Sequence, residues 1–271
     1  MLLDWMRRHE TRNGIGLALA TQANYIEWLG NLLRFAGNPV IDQMRSLRYV
    51  RFPLKVSTEV KALPMSTIEE IRLRLETMIG WDGSVARFMI AMYSYSGLRR
   101  SELRLARIQD LDVESWRIHV AHPKGEGRWA SPGTAPILQP ARTAVLKYLA
   151  ERKQYLAANG IDYSDALVPH ISRTGSCGYW TDAMWSWIKV DAQKHCRIPF
   201  TLQMLRRSFG QIAKDRGANI EAVSKALRHK TTKTTELYYA RIRSDAAFKE
   251  LEAVFSDYNS AENGLRAKVS D

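Results

Sequence analysis

The chain has 271 residues, 45% of them hydrophobic and 25% charged, so it can bury the core of one large domain or two modest ones. Its 40 lysines and arginines outnumber 28 aspartates and glutamates, and the net charge of +12 favours a polyanionic partner, nucleic acid first, over a merely solvated basic surface. Cys177 and Cys196 form no C-x-x-C pair, so neither a zinc site nor a disulfide framework is supported. The sequence has no apolar run of about 18 residues, and residues 1–8 lack the apolar core of a signal peptide. We therefore expect a cytoplasmic protein with no membrane partner.

The N-terminal residues predict a small helical module with a basic edge. Apolar residues repeat at helical spacing from residue 21 to residue 36, where Gly37 and Pro39 end the helix, and a second helix is predicted at residues 40–47. Residues 55–64 are polar and end in a proline, which is typical of a linker. The basic side chains of the second helix and the segment after it are Arg45, Arg48, Arg51 and Lys55.

The remainder of the chain predicts a mainly helical domain with a small antiparallel sheet. Trp116, Ile118 and Val120 alternate with polar residues, as on a half-buried strand, and a second strand is predicted at residues 128–137 beyond a glycine-flanked turn. Apolar spacing predicts helices at residues 66–78, 82–95, 101–107, 139–158, 181–195, 202–216, 220–227 and 246–255.

Three local signals refine this prediction. Ser66 and Glu69 have the spacing of a capping box at the start of the first of these helices. Residues 171–179, rich in serine and glycine, are predicted to form a loop. Trp185 and Trp187 are assigned to the core rather than to base stacking, because tryptophans at helical spacing are more often core residues.

Two arginines, a histidine and a tyrosine of this domain suggest chemistry on a phosphodiester. Arginine forks match phosphate oxygens in two-point contacts, and a tyrosine hydroxyl can act as a covalent nucleophile. Arg99 follows a helix-ending glycine, and Arg206 is expected one turn into its helix, opposite the apolar stripe that contains Phe209. His229 is expected at a helix C-terminus and Lys124 at a hairpin tip.

At these residues the sequence resembles the tyrosine recombinase, or phage integrase, family. The matching motifs are SGLRRSEL at residues 96–103, PKG at residues 123–125, MLRRSF at residues 204–209, and LRH at residues 227–229 followed by two threonines and Tyr238. The resemblance covers roughly residues 62–255. Each motif alone is a weak signal, but four in the expected order with compatible gaps make a strong one.

The resemblance implies a role for each matching residue. Tyr238 would be the nucleophile that forms a 3′-phosphotyrosyl link, and Arg99 and Arg206 would clamp the non-bridging oxygens. Lys124 would be the general acid for the departing 5′-hydroxyl, and His229 would contact the phosphate and assist proton movement. No cofactor, metal or ATP is implied, since arginines supply the positive charge and the phosphotyrosyl bond preserves the energy of the broken link.

Three further residues modify this assignment. Glu102, one turn beyond Arg99, is expected to orient the arginines. Gln203 departs from the family, in which a histidine usually stands three residues before the second arginine, and glutamine can donate a hydrogen bond to phosphate but cannot exchange a proton near neutral pH. Tyr239 competes with Tyr238 for the nucleophile role, although the spacing from the histidine favours Tyr238.

The resemblance also implies the domain organisation and partners. We expect a short DNA-binding module resembling the family's core-binding domain at residues 1–60, a catalytic domain at residues 61–258 and a flexible tail at residues 259–271. Arg45, Arg48, Arg51 and Lys55 are expected to contact DNA phosphates, the alternative being a solvated helix face. The implied partner is double-stranded DNA at specific recombination sites. The resemblance also implies a homotetramer at the nucleoid, which holds the synapsed sites and exchanges their strands through a Holliday junction. The alternatives are a catalytically weakened regulator, a relaxing topoisomerase and, more plainly, a helix-turn-helix repressor.

Overall fold

The computed structural model describes residues 2–11, 14–48, 50–54, 62–123, 132–229, 232 and 235. The chain divides into two compact units, Met1–Glu59 and Val60–Asp271. In the described residues no helix is long and apolar enough to cross a membrane.

The first unit is a small helical module that packs around its own apolar centre. Its elements are α1 (Leu2–Arg8), the hairpin of β1 (Glu10–Thr11) and β2 (Gly14–Ile15), α2 (Leu19–Phe35) and α3 (Val40–Ser46). Met6, Ile26 and Ile41 meet as its buried cluster, one residue from each helix. The two helices expected at residues 21–36 and 40–47 are therefore confirmed, whereas the hairpin adds structure that the sequence did not predict.

The second unit is built around one almost completely buried helix. Its helices are α4 (Met65–Leu75), α5 (Gly80–Ser96), α6 (Arg100–Arg104), α7 (Gln139–Ala158), α8 (Asp182–Cys196), α9 (Leu202–Asp215) and α10 (Ile220–Ala226). Every residue of α5 from Gly83 to Ser96 except Arg87 is buried, which is typical of a helix surrounded on all sides by other elements. Helices α4, α7, α8 and α9 pack against it, and the stacking of Phe88 on Tyr148 at 3.9 Å between ring centroids joins α5 to α7.

A three-stranded antiparallel sheet lies beside these helices. Its strands are β3 (Leu111–Asp112), β4 (Arg117–Val120) and β5 (Gly133–Pro136), in the order β3-β4-β5. Ile118 and Val120 of β4 are buried while Arg117 and His119 are exposed, which confirms the predicted alternation. The turn between β4 and β5, including Lys124, lies outside the described residues. The fold class, mainly α with small antiparallel sheets, agrees with the sequence prediction.

Some local predictions were wrong. Residues 171–179 were predicted to form a loop. They belong instead to a two-stranded antiparallel hairpin, β6 (Pro169–Ile171) with β7 (Cys177–Tyr179). The capping box at Ser66 and Glu69 does not form, because Pro64 is the N-cap of α4 and Glu69 binds Arg72 instead. Both tryptophans of α8 were predicted to be core residues. Trp185 is fully buried, as predicted, but Trp187 is 55% exposed.

Candidate active site

A tight turn after α5 places the first arginine. Gly97 ends the helix in the left-handed region at φ 59°, where a residue with a side chain is strained. A Cβ atom at this position would lie 2.8 Å from Phe209 and 2.9 Å from Leu227, so there is no room for one. Glycine therefore suits this position in the turn. The turn places Arg99 immediately before α6.

Glu102 is the centre of the site. This carboxylate, 4% exposed, accepts hydrogen bonds from the Arg99 backbone N–H at 2.6 Å and from Arg99 Nη1 at 2.7 Å. Arg228 Nη2 donates to the same carboxylate, and Arg206 Nη1 lies 3.8 Å from its Oε2. Burial by itself opposes ionisation, but the charge of Arg228, the bonds and charge of Arg99 and the charge of Arg206 outweigh it, so the pKa of Glu102 lies below its usual value. One buried, ionised carboxylate thus holds three guanidinium groups.

Arg206 lies inside the site rather than on the solvent side of α9. Residues three apart on a helix differ by only about 60° in direction, so Arg206 projects beside Phe209 instead of opposite it, and the prediction of an outward side chain was wrong. The side chain is 11% exposed. Its Nη1 donates to the Gly97 carbonyl and its Nη2 donates to the Leu227 carbonyl at 2.6 Å. Arg206 therefore binds the carbonyl oxygens at the ends of both α5 and α10.

The end of α10 places the histidine. The Arg228 N–H donates to the Lys225 carbonyl at 3.0 Å and the His229 N–H donates to the Ser224 carbonyl at 3.0 Å, which is the hydrogen-bond pattern of a Schellman motif. Arg228 occupies the left-handed position of this motif at φ 53°. Arg228 belongs to the LRH motif at residues 227–229, but the sequence by itself indicates no role for its side chain.

His229 is neutral at neutral pH. Burial, followed by the charges of Arg206, Arg99 and Arg228, lowers the pKa of its imidazole to about 4. Its Nδ1 lies 2.8 Å from the hydroxyl of Thr235, which is itself fully buried. Nε2 has no hydrogen-bond partner among the described residues.

Arg99, Arg206 and His229 line a pocket of about 540 Å³. Among the described residues no aspartate or glutamate lines it, and the basic lining residues are Arg99, Arg100, Lys189, Arg206, Arg207 and His229. Gln203, exposed on the first turn of α9, lines it as well and makes no hydrogen bond to any described residue. A concave surface of this size with only basic and neutral lining residues is suited to an anion.

Helix α8 forms one wall of this pocket and is fixed to α6. Arg100 Nη2 lies 3.1 Å from the Asp182 carboxylate and also donates to the hydroxyl of Ser186. The core supports the same contact, since Trp185 Nε1 donates to the Tyr93 hydroxyl at 3.1 Å and that hydroxyl donates to the Arg100 carbonyl at 3.1 Å. The wall is therefore held on a rigid support, as a precise binding site requires.

The structure thus brings together Arg99, Arg206, His229, Gln203 and Glu102 of the residues selected from the sequence. Arg45, Arg48 and Arg51 are exposed residues of the first unit. The other selected residues, Lys55, Lys124, Tyr238 and Tyr239, lie outside the described residues, as do the last predicted helix and the tail.

The sequence is similar to a family model and to several proteins named tyrosine recombinase. The sequence model described as "Phage integrase family" matches residues 65–244, well over half of the chain. Tyrosine recombinase XerA of Pyrococcus furiosus is 29% identical over 178 residues, which are 66% of this chain and 58% of that protein. Tyrosine recombinase XerA of Thermococcus kodakarensis is 27% identical over 239 residues, 79% of each chain. The chain therefore spans between about three fifths and four fifths of these relatives.

Solved structures with the same fold include recombinases bound to DNA. XerH recombinase in a post-cleavage complex with palindromic difH DNA has a TM-score of 0.63 at 16% identity, covering 93% of this chain and 68% of that one. The crystal structure of XerA recombinase has a TM-score of 0.56 at 17% identity, covering 95% and 89%. At these identities the likeness establishes the fold.

Proposed function

The chain belongs to the phage integrase family, and on that premise we propose that it is a site-specific recombinase that cuts and rejoins DNA strands through a covalent bond to Tyr238. One observation carries the proposal. Arg99 converges on one pocket with Arg206 and the neutral His229, both more than 100 residues later in the chain, and none of the described lining residues is a carboxylate.

The first role we assign to this pocket is to hold the scissile phosphate. The Arg99 and Arg206 guanidinium groups are fixed on one side by Glu102 and by backbone carbonyls, while both side chains line the pocket. Groups that are already oriented stabilise the charge that builds on the non-bridging oxygens without reorganising during the reaction. Removal of one such donor typically lowers the rate by about 10²–10³-fold.

The covalent step then follows from the chemistry of the tyrosine. The Tyr238 oxygen attacks the scissile phosphorus, the bond from phosphorus to the 5′ oxygen breaks, and the 3′ phosphate stays bonded to the protein. Lys124 gives a proton to the departing 5′ oxygen. Attack by the 5′-hydroxyl of a partner strand reverses these changes, forms a Holliday junction and releases the tyrosine.

His229 is suited to move the proton of the nucleophile. A neutral imidazole can accept a proton, and the low pKa of about 4 keeps this one neutral before DNA binds. A bound phosphate raises the pKa, because its negative charge favours the imidazolium. We propose that Nε2, which faces no described partner, contacts the phosphate and takes part in the transfer of the Tyr238 proton.

Gln203 is proposed as a neutral hydrogen-bond donor to the same phosphate. It lies in the pocket and is exposed, so its amide can reach a ligand without first breaking another contact to a described residue. A glutamine leaves proton transfer to the other residues. We expect reduced but measurable activity, and a Gln203→His variant should cleave in a single turnover no more slowly than wild type.

The broader assembly belongs to the same proposal. We propose that a homotetramer acts on two synapsed sites at the nucleoid, and that the first unit binds DNA through Arg45, Arg48 and Arg51. All three are exposed, and each phosphate contact should add about 0.9 to the slope of log affinity against log salt concentration.

The test requires a substrate, which a Tyr238→Phe variant can select. Duplexes that this variant retains from a random pool are cloned and nicked close to each candidate cleavage position, so that the cleaved end diffuses away and the covalent complex accumulates. Wild type, Tyr238→Phe and the matched control Tyr239→Phe are then compared for a denaturant-resistant protein–DNA adduct.

We expect an adduct with wild type and Tyr239→Phe and none with Tyr238→Phe. Loss of the adduct in Tyr239→Phe alone would move the nucleophile to the neighbouring tyrosine. Tight binding without an adduct, even for Gln203→His, would refute the recombinase and favour the weakened regulator. Relaxation of a plasmid that carries no selected site would favour the topoisomerase.

A further inference from the structure

Arg228 stands where the backbone favours a glycine. It is the left-handed residue that ends α10, at φ 53°, and a residue with a side chain is less stable there than glycine. Its side chain is 12% exposed and pairs with the fully buried carboxylate of Glu102, a residue 126 positions earlier in the chain. The unfavourable backbone is thus offset by a contact that a glycine cannot make.

Arg228 is joined to Arg99 in two ways. Its carbonyl accepts a hydrogen bond from Arg99 Nη2 at 3.2 Å, and its guanidinium shares the Glu102 carboxylate with Arg99 Nη1. The carbonyl contact needs only the left-handed backbone, which glycine adopts freely. The side chain must therefore supply the rest, namely a second attachment to Glu102 and one more positive charge.

The side chain is not among the described residues that line the pocket. We propose that Arg228 is a positioning residue, whose side chain ties the adjacent His229 to Glu102 and places one more positive charge near the imidazole. The inference rests on the proposed function for the reaction that it serves. It adds to that function a residue that acts through Glu102 and His229.

The charged groups around His229 come from several elements. Arg206 projects from α9 and Arg99 from the turn before α6, with the Glu102 carboxylate between them. Lys189 of α8 and Arg207 of α9 line the same pocket. Arg228 itself is one of the three arginines whose charges oppose protonation of His229. Because Glu102 stays in place, loss of the Arg228 charge leaves more negative charge near the imidazole and should raise its pKa.

The test compares Arg228→Gly with a control of the same backbone geometry. Glycine suits φ 53°, so this variant is expected to fold. Arg197, which ends α8 at φ 55° and is exposed, provides the control Arg197→Gly, which relieves the same strain away from Glu102. Arg228→Lys restores a positive charge, and Arg228→Gln keeps most of the length without the charge in case the glycine variant does not fold.

The first measurement is an NMR titration of the His229 ring nitrogens in the full chain without DNA. We expect a higher pKa in Arg228→Gly and Arg228→Gln, a pKa close to that of wild type in Arg228→Lys, and no change in Arg197→Gly. An unchanged His229 pKa in Arg228→Gly overturns the proposal whether or not the protein cleaves DNA.

The second measurement is single-turnover cleavage of the nicked duplex beside DNA affinity. We expect Arg228→Gly to cleave about tenfold to a hundredfold more slowly, as slight misplacement of a catalytic group does, with DNA affinity changed less than about threefold. Cleavage at the wild-type rate overturns the proposal even if the pKa has moved. Absence of an adduct in wild type refutes the proposed function instead, and the titration still decides whether Arg228 controls His229.

Discussion

Replacement of Glu102 by glutamine should destabilise the second unit more than loss of any exposed carboxylate. Glutamine has about the same size as glutamate but no charge. An amide NH2 group, itself a hydrogen-bond donor, replaces one of the carboxylate oxygens and faces the arginine donors. Removing one partner of a buried ion pair typically reduces the free energy of unfolding by about 3–5 kcal/mol. The side chains of Arg99, Arg206 and Arg228 retain exposures of 21%, 11% and 12%, so water screens part of the effect. We therefore expect the lower end of this range, about 3 kcal/mol.

The assay should follow the second unit by itself, because a chain with two compact units does not unfold in one step. Trp180 and Trp185 are 4% and 0% exposed, whereas Trp5 and Trp28 of the first unit are 51% and 63% exposed. Tryptophan fluorescence during heating is therefore dominated by changes in the second unit. About 3 kcal/mol corresponds to a fall in Tm of roughly 6–12 °C for a unit of this size.

Glu70→Gln is the matched control. Glu70 forms a bond of 2.6 Å with Arg74, but the two side chains are 47% and 46% exposed. An exposed pair of this kind contributes less than about 1 kcal/mol. If Glu102→Gln lowered Tm no more than Glu70→Gln, Glu102 would not be the centre that holds the arginines, and the reasoning about the site would be refuted.

Three other changes have expected outcomes. Gly97→Ala should lower the free energy of unfolding by more than about 1 kcal/mol in urea titrations, because its φ is 59° and the new Cβ would lie 2.8 Å from Phe209; an unchanged midpoint would contradict the clash. Acidification should destabilise the protein between about pH 6.5 and pH 4, because the unfolded chain protonates His229 at about 6.5 and the folded chain only at about 4. His229→Asn should weaken this dependence, and an identical pH profile would contradict the lowered pKa. Lys189→Ala should lower the salt slope of DNA binding by about 0.9, whereas Lys194→Ala, on the same helix outside the pocket, should not; equal effects would remove Lys189 from the phosphate site.

Much of the fold was predictable because its signals are local. The helix α7 has the same bounds in the sequence prediction and in the structure, Gln139–Ala158, and its buried residues recur every three or four positions at Ala141, Val145, Tyr148, Arg152 and Leu156. Gly97 was recognised as a helix end because glycine readily takes a positive φ. In contrast, β6 and β7 have three residues each, too few for an alternation to be visible, and the hairpin was taken for a loop.

The site was predictable only as far as its members could be recognised one by one. Arg99, Arg206 and His229 were selected by motif, but the sequence does not show what holds them. The partners of Arg206 are the carbonyls of Gly97 and Leu227, which are 109 and 21 residues away. Contacts at such separations depend on how helices pack, and no local pattern encodes them.

Charge explains why so many arginines share one carboxylate. In the described cluster, Arg99, Arg206 and Arg228 surround Glu102 alone, and the pKa of His229 is lowered first by burial and then by the charges of these arginines. Like charges held close together destabilise the empty site, and a bound phosphodiester removes part of this repulsion. The proposed recombinase would therefore gain affinity for DNA from repulsion already present in the folded protein. Since a second carboxylate in the lining would weaken both the repulsion and the gain, the absence of one among the pocket's described residues is consistent with a site built to bind a phosphate in its reacting geometry.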